Sequence, residues 1–162
     1  MTSETTWIVL RCPSSKTLTL ANRLASYGAW TPTWRRQRRL PRSNVRRLIT
    51  EACIPSFVFV PEDAAGTLPK VPLVSFSVMR VGGKLVRIAD RSLEPLRNIS
   101  EKAPVPARLL PKPGTPVRFA SGPFQGLQGT VRACTQSYAT VDIVDFVLPV
   151  KVPPCLLQKV RP

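Results

Sequence analysis

Proline decides most of what this chain can fold into. There are 18 prolines in 162 residues, and each fixes φ and lacks the amide that a helix or a central strand would use. Pro104, Pro106, Pro111 and Pro113 fall in one short span with charged neighbours. That composition predicts an extended, semi-stiff linker over 101–113, with one folded segment before it and a shorter one after it. In the shorter segment, Pro149, Pro153 and Pro154 would break a helix, while Val131, Val141, Ile143, Val144, Val147, Val150 and Val152 favour strands. Strand-like runs at 117–120, 129–134, 139–144, 147–152 and 156–160 predict a small five-stranded β-barrel over 114–162.

The first hundred residues read differently. Trp7-Ile8-Val9-Leu10 is a short buried strand. Pro13 ends it, and Ser14 or Ser15 can cap a helix over 16–27, where Leu18, Ala21, Leu24 and Ala25 make an apolar stripe closed by Gly28. A strand over 54–60 puts Phe57 and Phe59 on one face and Val58 and Val60 on the other. Runs at 73–81 and 84–88 flank the Gly82-Gly83 turn signal. Asp90 or Ser92 can cap a helix over 93–100. The order β-α-β-β-β-β-α predicts an α+β fold, an antiparallel sheet flanked by helices.

Charge narrows the partners. Lys and Arg number 24 against 9 Asp and Glu, a formal net charge of +15, and a field of that sign draws polyanions. Residues 1–102 hold 17 basic and 7 acidic side chains, and 103–162 hold 7 and 2. The sharpest concentration is 35–47, where seven of 13 residues are Arg. Arg35, Arg36, Arg38, Arg39, Arg42, Arg46 and Arg47 are the candidate nucleic-acid contacts, because the guanidinium fork matches phosphate oxygens. A solvated basic loop, or one meeting acidic protein, is the alternative.

Catalysis has little to work with. His is absent, so no Ser-His or Cys-His pair can form. No Gly-rich phosphate loop is present, and the carboxylates are scattered, with Asp142 and Asp145 close together in a strand region that has no metal-ligand pattern. Cys12, Cys53, Cys134 and Cys155 lack metal-ligand spacing and read as reduced, partly buried thiols. A non-enzyme with no cofactor and no metal is expected. The opening residues carry no signal-peptide pattern, and no apolar run approaches the ~20 residues of a membrane span. A cytoplasmic protein without a membrane partner is expected.

Two motifs sharpen this picture. Gly122-Pro123-Phe124-Gln125-Gly126-Leu127-Gln128-Gly129-Thr130-Val131, preceded by Val117-Arg118, resembles the KOW motif of NusG-like factors and some ribosomal proteins. Trp7-Ile8-Val9-Leu10-Arg11, then Gly28 with Pro32-Thr33, then Ile54-Pro55-Ser56-Phe57-Val58-Phe59-Val60, resembles in order the NusG N-terminal (NGN) domain. The ordered set resembles the NusG family of transcription elongation factors over nearly the whole chain. Departures are Ile8 in place of an aromatic, Ile54 in place of Phe, Ser56 in place of Gly, and no acidic residue near the first helix start. They point to a divergent paralogue, phage-encoded or specialised.

The resemblance implies an NGN-like domain over 1–100, the linker over 101–113 and a KOW barrel over 114–162. It implies a monomeric, non-catalytic factor that docks on the clamp of the largest RNA polymerase subunit and modulates elongation, pausing and termination, with antitermination favoured. The polymerase-binding candidates are Trp7, Trp30, Trp34, Ile54, Phe57 and Phe59. Aromatics dominate such interfaces, yet aromatics on alternating strand positions are more often core. The Arg segment corresponds to the family's hairpin facing upstream DNA, with nascent RNA as the other strand in reach. Phe124 and Leu127 are candidates for a KOW partner such as the termination factor Rho or a small-subunit ribosomal protein. An RNA-binding or ribosome-associated KOW protein is the competing reading.

Overall fold

The computed structural model describes residues 4–99, 105, 107–144 and 146–161. Residues 101–104 and 106 of the linker expected over 101–113, the last residue of the helix expected over 93–100, and Asp145 lie outside the described residues. So does the side chain of Arg36. Within the described part of the linker Ala107–Leu109 form a 3-10 turn.

The front half is built on β1 (Thr6–Arg11), which lies inside a four-stranded antiparallel sheet. On one side it pairs with β4 (Phe57–Pro61), matching Val9 to Phe59 and Leu10 to Val58. On the other it pairs with β5 (Ser77–Val78) and β8 (Arg87–Ala89). Alternation then separates two apolar layers. Ile8, Leu10, Val58 and Val60 pack with Leu20, Ala21 and Leu24 of α1 (Thr17–Arg23). Val9, Phe57, Phe59 and Ile88 pack with Leu93 and Leu96 of α2 (Asp90–Arg97) and with Ile99. Burial on both faces is why 57–60 reads as an unbroken apolar run.

Several local expectations shift. The helix expected over 16–27 is three pieces, with 3-10 turns Ser14–Lys16 and Ala25–Tyr27 around α1. Neither Ser14 nor Ser15 caps it. Instead the buried Thr17 hydroxyl donates to the Ser14 carbonyl at 3.0 Å and accepts the Ser56 N–H at 2.8 Å. The strand expected from Ile54 begins at Phe57, because Ser56 sits at φ 80°, in the left-handed region. The run expected over 73–81 is broken into β5 and β6 (Arg80–Val81), and Leu73 has φ 62°. β6 pairs with β7 (Lys84–Leu85) across Gly82-Gly83, as that turn signal predicts. Asp90 opens α2, but its carboxylate does not cap the helix; it faces Trp7 and Arg97.

Between α1 and β4 rises a separate two-stranded ribbon, β2 (Thr33–Arg39) with β3 (Arg46–Ala52), paired from Thr33↔Ala52 to Arg39↔Arg46. Seven residues at about 3.3 Å each make it roughly 20 Å long. Its foot is tied to β4. Trp30 and Phe59 exchange backbone hydrogen bonds at 2.9 and 2.8 Å, and the Thr31 hydroxyl donates to the Phe57 carbonyl at 3.0 Å.

The tail forms a five-stranded antiparallel sheet in the order β12-β11-β10-β9-β13, from β9 (Pro116–Phe119), β10 (Gln128–Cys134), β11 (Ala139–Ile143), β12 (Val150–Val152) and β13 (Leu157–Lys159). It rolls around Val117, Phe119, Val131, Val141, Val150 and Leu156. The strand expected over 147–152 keeps only its last half, since Val147 and Leu148 lie exposed before Pro149. Gly129 shows how tightly β10 and β11 meet. A Cβ there would lie 2.6 Å from the Asp142 carbonyl oxygen.

The two halves share one core. Phe124 of the rolled sheet packs edge-on against Phe57 of β4, centroids 5.2 Å apart. Leu96 of α2 lies close to Gly122. The Tyr138 hydroxyl donates to the Ala52 carbonyl at 2.7 Å, and its ring meets Trp34 at 5.3 Å.

Candidate nucleic-acid interface and docking face

The Arg segment is the ribbon. In the ladder, residues opposite one another share a face. Arg35, Gln37 and Arg39 therefore lie with Thr50, Leu48 and Arg46 on the outer face. Trp34 and Arg38 lie with Glu51 and Arg47 on the face turned toward Tyr138. Arg36 pairs with Ile49 by its backbone. Arg42 sits in the connecting turn at φ 61°. Arg39 donates to the Ser43 carbonyl at 3.1 Å and to Asn44 Oδ1, which braces that turn.

Two cross-strand pairs, Arg38↔Arg47 and Arg39↔Arg46, set like charges opposite each other, an arrangement that weakens a ribbon. Among the described residues no acidic side chain pairs with any of these arginines. The ion pairs present lie elsewhere, at Arg87–Glu62, Arg91–Glu4, Arg97–Asp90, Arg97–Glu94 and Arg132–Asp142. The ribbon also exposes Val45 (60%) and Leu48 (58%). A solvated arginine ribbon with positive charge on both faces attracts phosphate, and its contacts would be independent of sequence.

The aromatic candidates gather on the second layer of the sheet. Trp7 and Trp30 are half-buried and meet edge-on at 6.1 Å, and Trp30 lies 5.3 Å from Phe59. The Arg97 guanidinium stands 5.5 Å from the Trp30 ring centre and 6.0 Å from that of Trp7. Asp90 locks this group. It accepts the Trp7 indole N–H at 2.8 Å and pairs with Arg97 at 2.5 Å. Those two contacts, Arg97 first and Trp7 second, hold its carboxyl below the usual range. Sequence reasoning left Asp90 and Arg97 out of the site; the only cue was their spacing of seven, two helical turns.

Ile54, Phe57 and Phe59 are buried. Phe57 is covered by Phe124, and Phe124 itself is 1% exposed, wedged among Phe57, Phe119 and Phe146. Leu127 is 37% exposed beside it. The aromatic layer and Phe124 are therefore brought together, whereas the Arg ribbon stands apart from both except through Trp34.

Burial raises the Cys12 thiol, tempered by its contact with Thr17, and raises that of Cys134. Both are thiols rather than thiolates at neutral pH. The described residues contain no group of three His, Cys, Asp or Glu side chains that could hold a metal. They contain no helix long and apolar enough to cross a membrane.

No protein-family model and no curated protein sequence matches the chain. Among solved structures it is similar to Thermotoga maritima NusG, in a structure describing domain interaction, at 20% identity and a TM-score of 0.43, covering 98% of each chain. It is also similar to the MjSpt4:Spt5 complex in conformation B, at 17% identity and a TM-score of 0.32, covering 96% of this chain and 97% of that one. For conformation A the values are 15% identity, a TM-score of 0.30, and 95% and 97% coverage. The chain is thus similar, across nearly its whole length, to structures of NusG and of Spt4:Spt5.

Proposed function

We propose that the protein is a non-catalytic transcription elongation factor that docks on RNA polymerase and holds nucleic acid with its arginine ribbon. The observation that carries this is the ribbon itself, which sets like charges opposite one another with no acidic partner among the described residues. Such an arrangement is stabilised when a polyanion supplies the missing charge. The ordered resemblance of the front and tail segments to NGN and KOW domains supplies the polymerase.

The docking face is the aromatic layer. Trp7 and Trp30 form it, Ile54 and Phe59 support it from beneath, Trp34 borders it at the foot of the ribbon, and Phe57 joins it when the rolled sheet moves away. Phe124 and Leu127 are then free for a second partner, Rho or a small-subunit ribosomal protein. Antitermination is the outcome favoured by the strong positive charge and by the departures from the family pattern.

The test uses stalled host elongation complexes with wild type and an Arg35→Gln/Arg39→Gln/Arg46→Gln variant. Wild type binds and increases read-through of a terminator, and the variant binds more weakly with a salt dependence lowered by about 0.9 per lost contact on duplex DNA. Premature release in place of read-through would replace antitermination by termination. Tight binding to free RNA without association with polymerase would replace the elongation reading by the ribosome or RNA one.

A further inference from the structure

Where the two halves meet they leave an open cleft of about 710 Å³. One wall belongs to the front half and carries Arg11, at the end of β1, and Arg38 of the ribbon. The other belongs to the rolled sheet and carries Lys151 of β12 and Tyr138. Ser14, Ser15 and Thr140 also line the space between. Among the described residues no ion pair holds Arg11, Arg38 or Lys151. Lys151 lies 5.3 Å from the Tyr138 ring centre, which directs its ammonium group without neutralising it. Among the described residues Glu51 is the single carboxylate lining the cleft.

We infer that this cleft binds one strand of nucleic acid by its phosphodiester backbone, with Arg11 and Arg38 on one side and Lys151 on the other. The inference rests on the nucleic-acid reading of the ribbon and extends it to a second, separate track. Three cations on three different strands suit a series of phosphates rather than a single anion. Arg47, opposite Arg38 on the same ribbon face, continues the positive line out of the cleft. A space of this volume is too small for a duplex, whose major groove alone is about 12 Å wide. Exposed hydroxyls give further donors to phosphate oxygens. Because the walls come from different halves, the site is complete only while the halves are docked. A bound strand therefore holds them together, by mass action on the docked form.

The experiment measures fluorescence anisotropy of a labelled oligouridine, its deoxy counterpart and a labelled DNA duplex, titrated with the full chain at several salt concentrations. The cleft variant is Arg11→Gln/Lys151→Gln, one change on each wall. The ribbon variant is Arg35→Gln/Arg39→Gln/Arg46→Gln, all on the outer face. Circular dichroism and the urea midpoint establish that both fold. The cleft variant should bind single strands roughly tenfold more weakly, with a salt slope reduced by about 1.4, two contacts at about 0.7 each, and should keep duplex binding. The ribbon variant should show the opposite pattern. Equal loss for the ribose and deoxyribose strands confirms backbone recognition, and loss for RNA alone assigns the cleft to RNA. Single-strand binding by the cleft variant at wild-type affinity and slope would overturn the cleft and leave the ribbon standing. Failure of wild type to bind any of the three probes would overturn both.

Discussion

The Tyr138 hydroxyl offers the cleanest way to weaken the contact between the halves. It donates to the Ala52 carbonyl at 2.7 Å, while its ring is held by Trp34 and lies beside Lys151. Tyr138→Phe keeps the ring and removes one donor. A neutral hydrogen bond contributes about 1 kcal/mol net. Ala52 borders the open cleft but is itself buried, so the loss is at least that value. About 1 kcal/mol is roughly a fivefold change in the docking equilibrium. In urea, followed by tryptophan fluorescence, the midpoint should fall by about 0.3–1 M for slopes of about 1–3 kcal/mol/M. Tyr27→Phe, which removes the chain's other phenol from the α1 side, serves as the control and should leave the midpoint in place. A Tyr138→Phe midpoint within about 0.1 M of wild type would refute the reasoning, because a bond of net worth would have to shift it.

Three further changes probe the framework. Ser56→Gly should raise stability by about 0.5–1 kcal/mol, since φ 80° is strained for Ser and free for Gly; a lower melting temperature would show that the Ser side chain contributes more than its backbone strain. Gly129→Ala should destabilise by about 2–4 kcal/mol or prevent the tail from folding, because the new Cβ meets the Asp142 carbonyl at 2.6 Å; an unchanged urea curve would mean that β10 and β11 separate easily. Asp90 has a depressed folded pKa, so its contribution is present above its unfolded pKa of about 3.9 and is lost as pH falls through the lower folded value. The stability gap between wild type and Asp90→Asn should therefore be open at pH 7 and narrow below about pH 4, and a gap of constant size across that range would contradict the pairing.

The fold class was legible because it follows from single-residue chemistry. Val and Pro leave the tail no choice but short strands, and the alternation of 57–60 separates two buried layers. The ribbon was harder to see from the residues themselves. With Arg on both faces, β2 has no apolar period of two, and only the family resemblance suggested a hairpin. Local ends failed where one side chain was claimed by a distant partner. Asp90 looks like a helix cap, but Trp7, 83 residues away, takes its Oδ1. Thr17 was an ordinary early-helix residue until Ser56 arrived beside it. The cleft was invisible for the same reason, since Arg11, Arg38, Tyr138 and Lys151 are isolated in sequence and meet only through the packing of the two halves.

The foot of the ribbon has a mechanical consequence. Trp34 and Ala52, at the base of a two-stranded arm about 20 Å long, are the points touched by Tyr138. The rolled sheet thus grips a lever at its fulcrum. A tilt of only about 10° at that grip carries the arginine-bearing tip through roughly 3–4 Å, more than the length of a hydrogen bond. A small rocking of one half would then be felt at the far end of the arm as a guanidinium gained or lost by a phosphate.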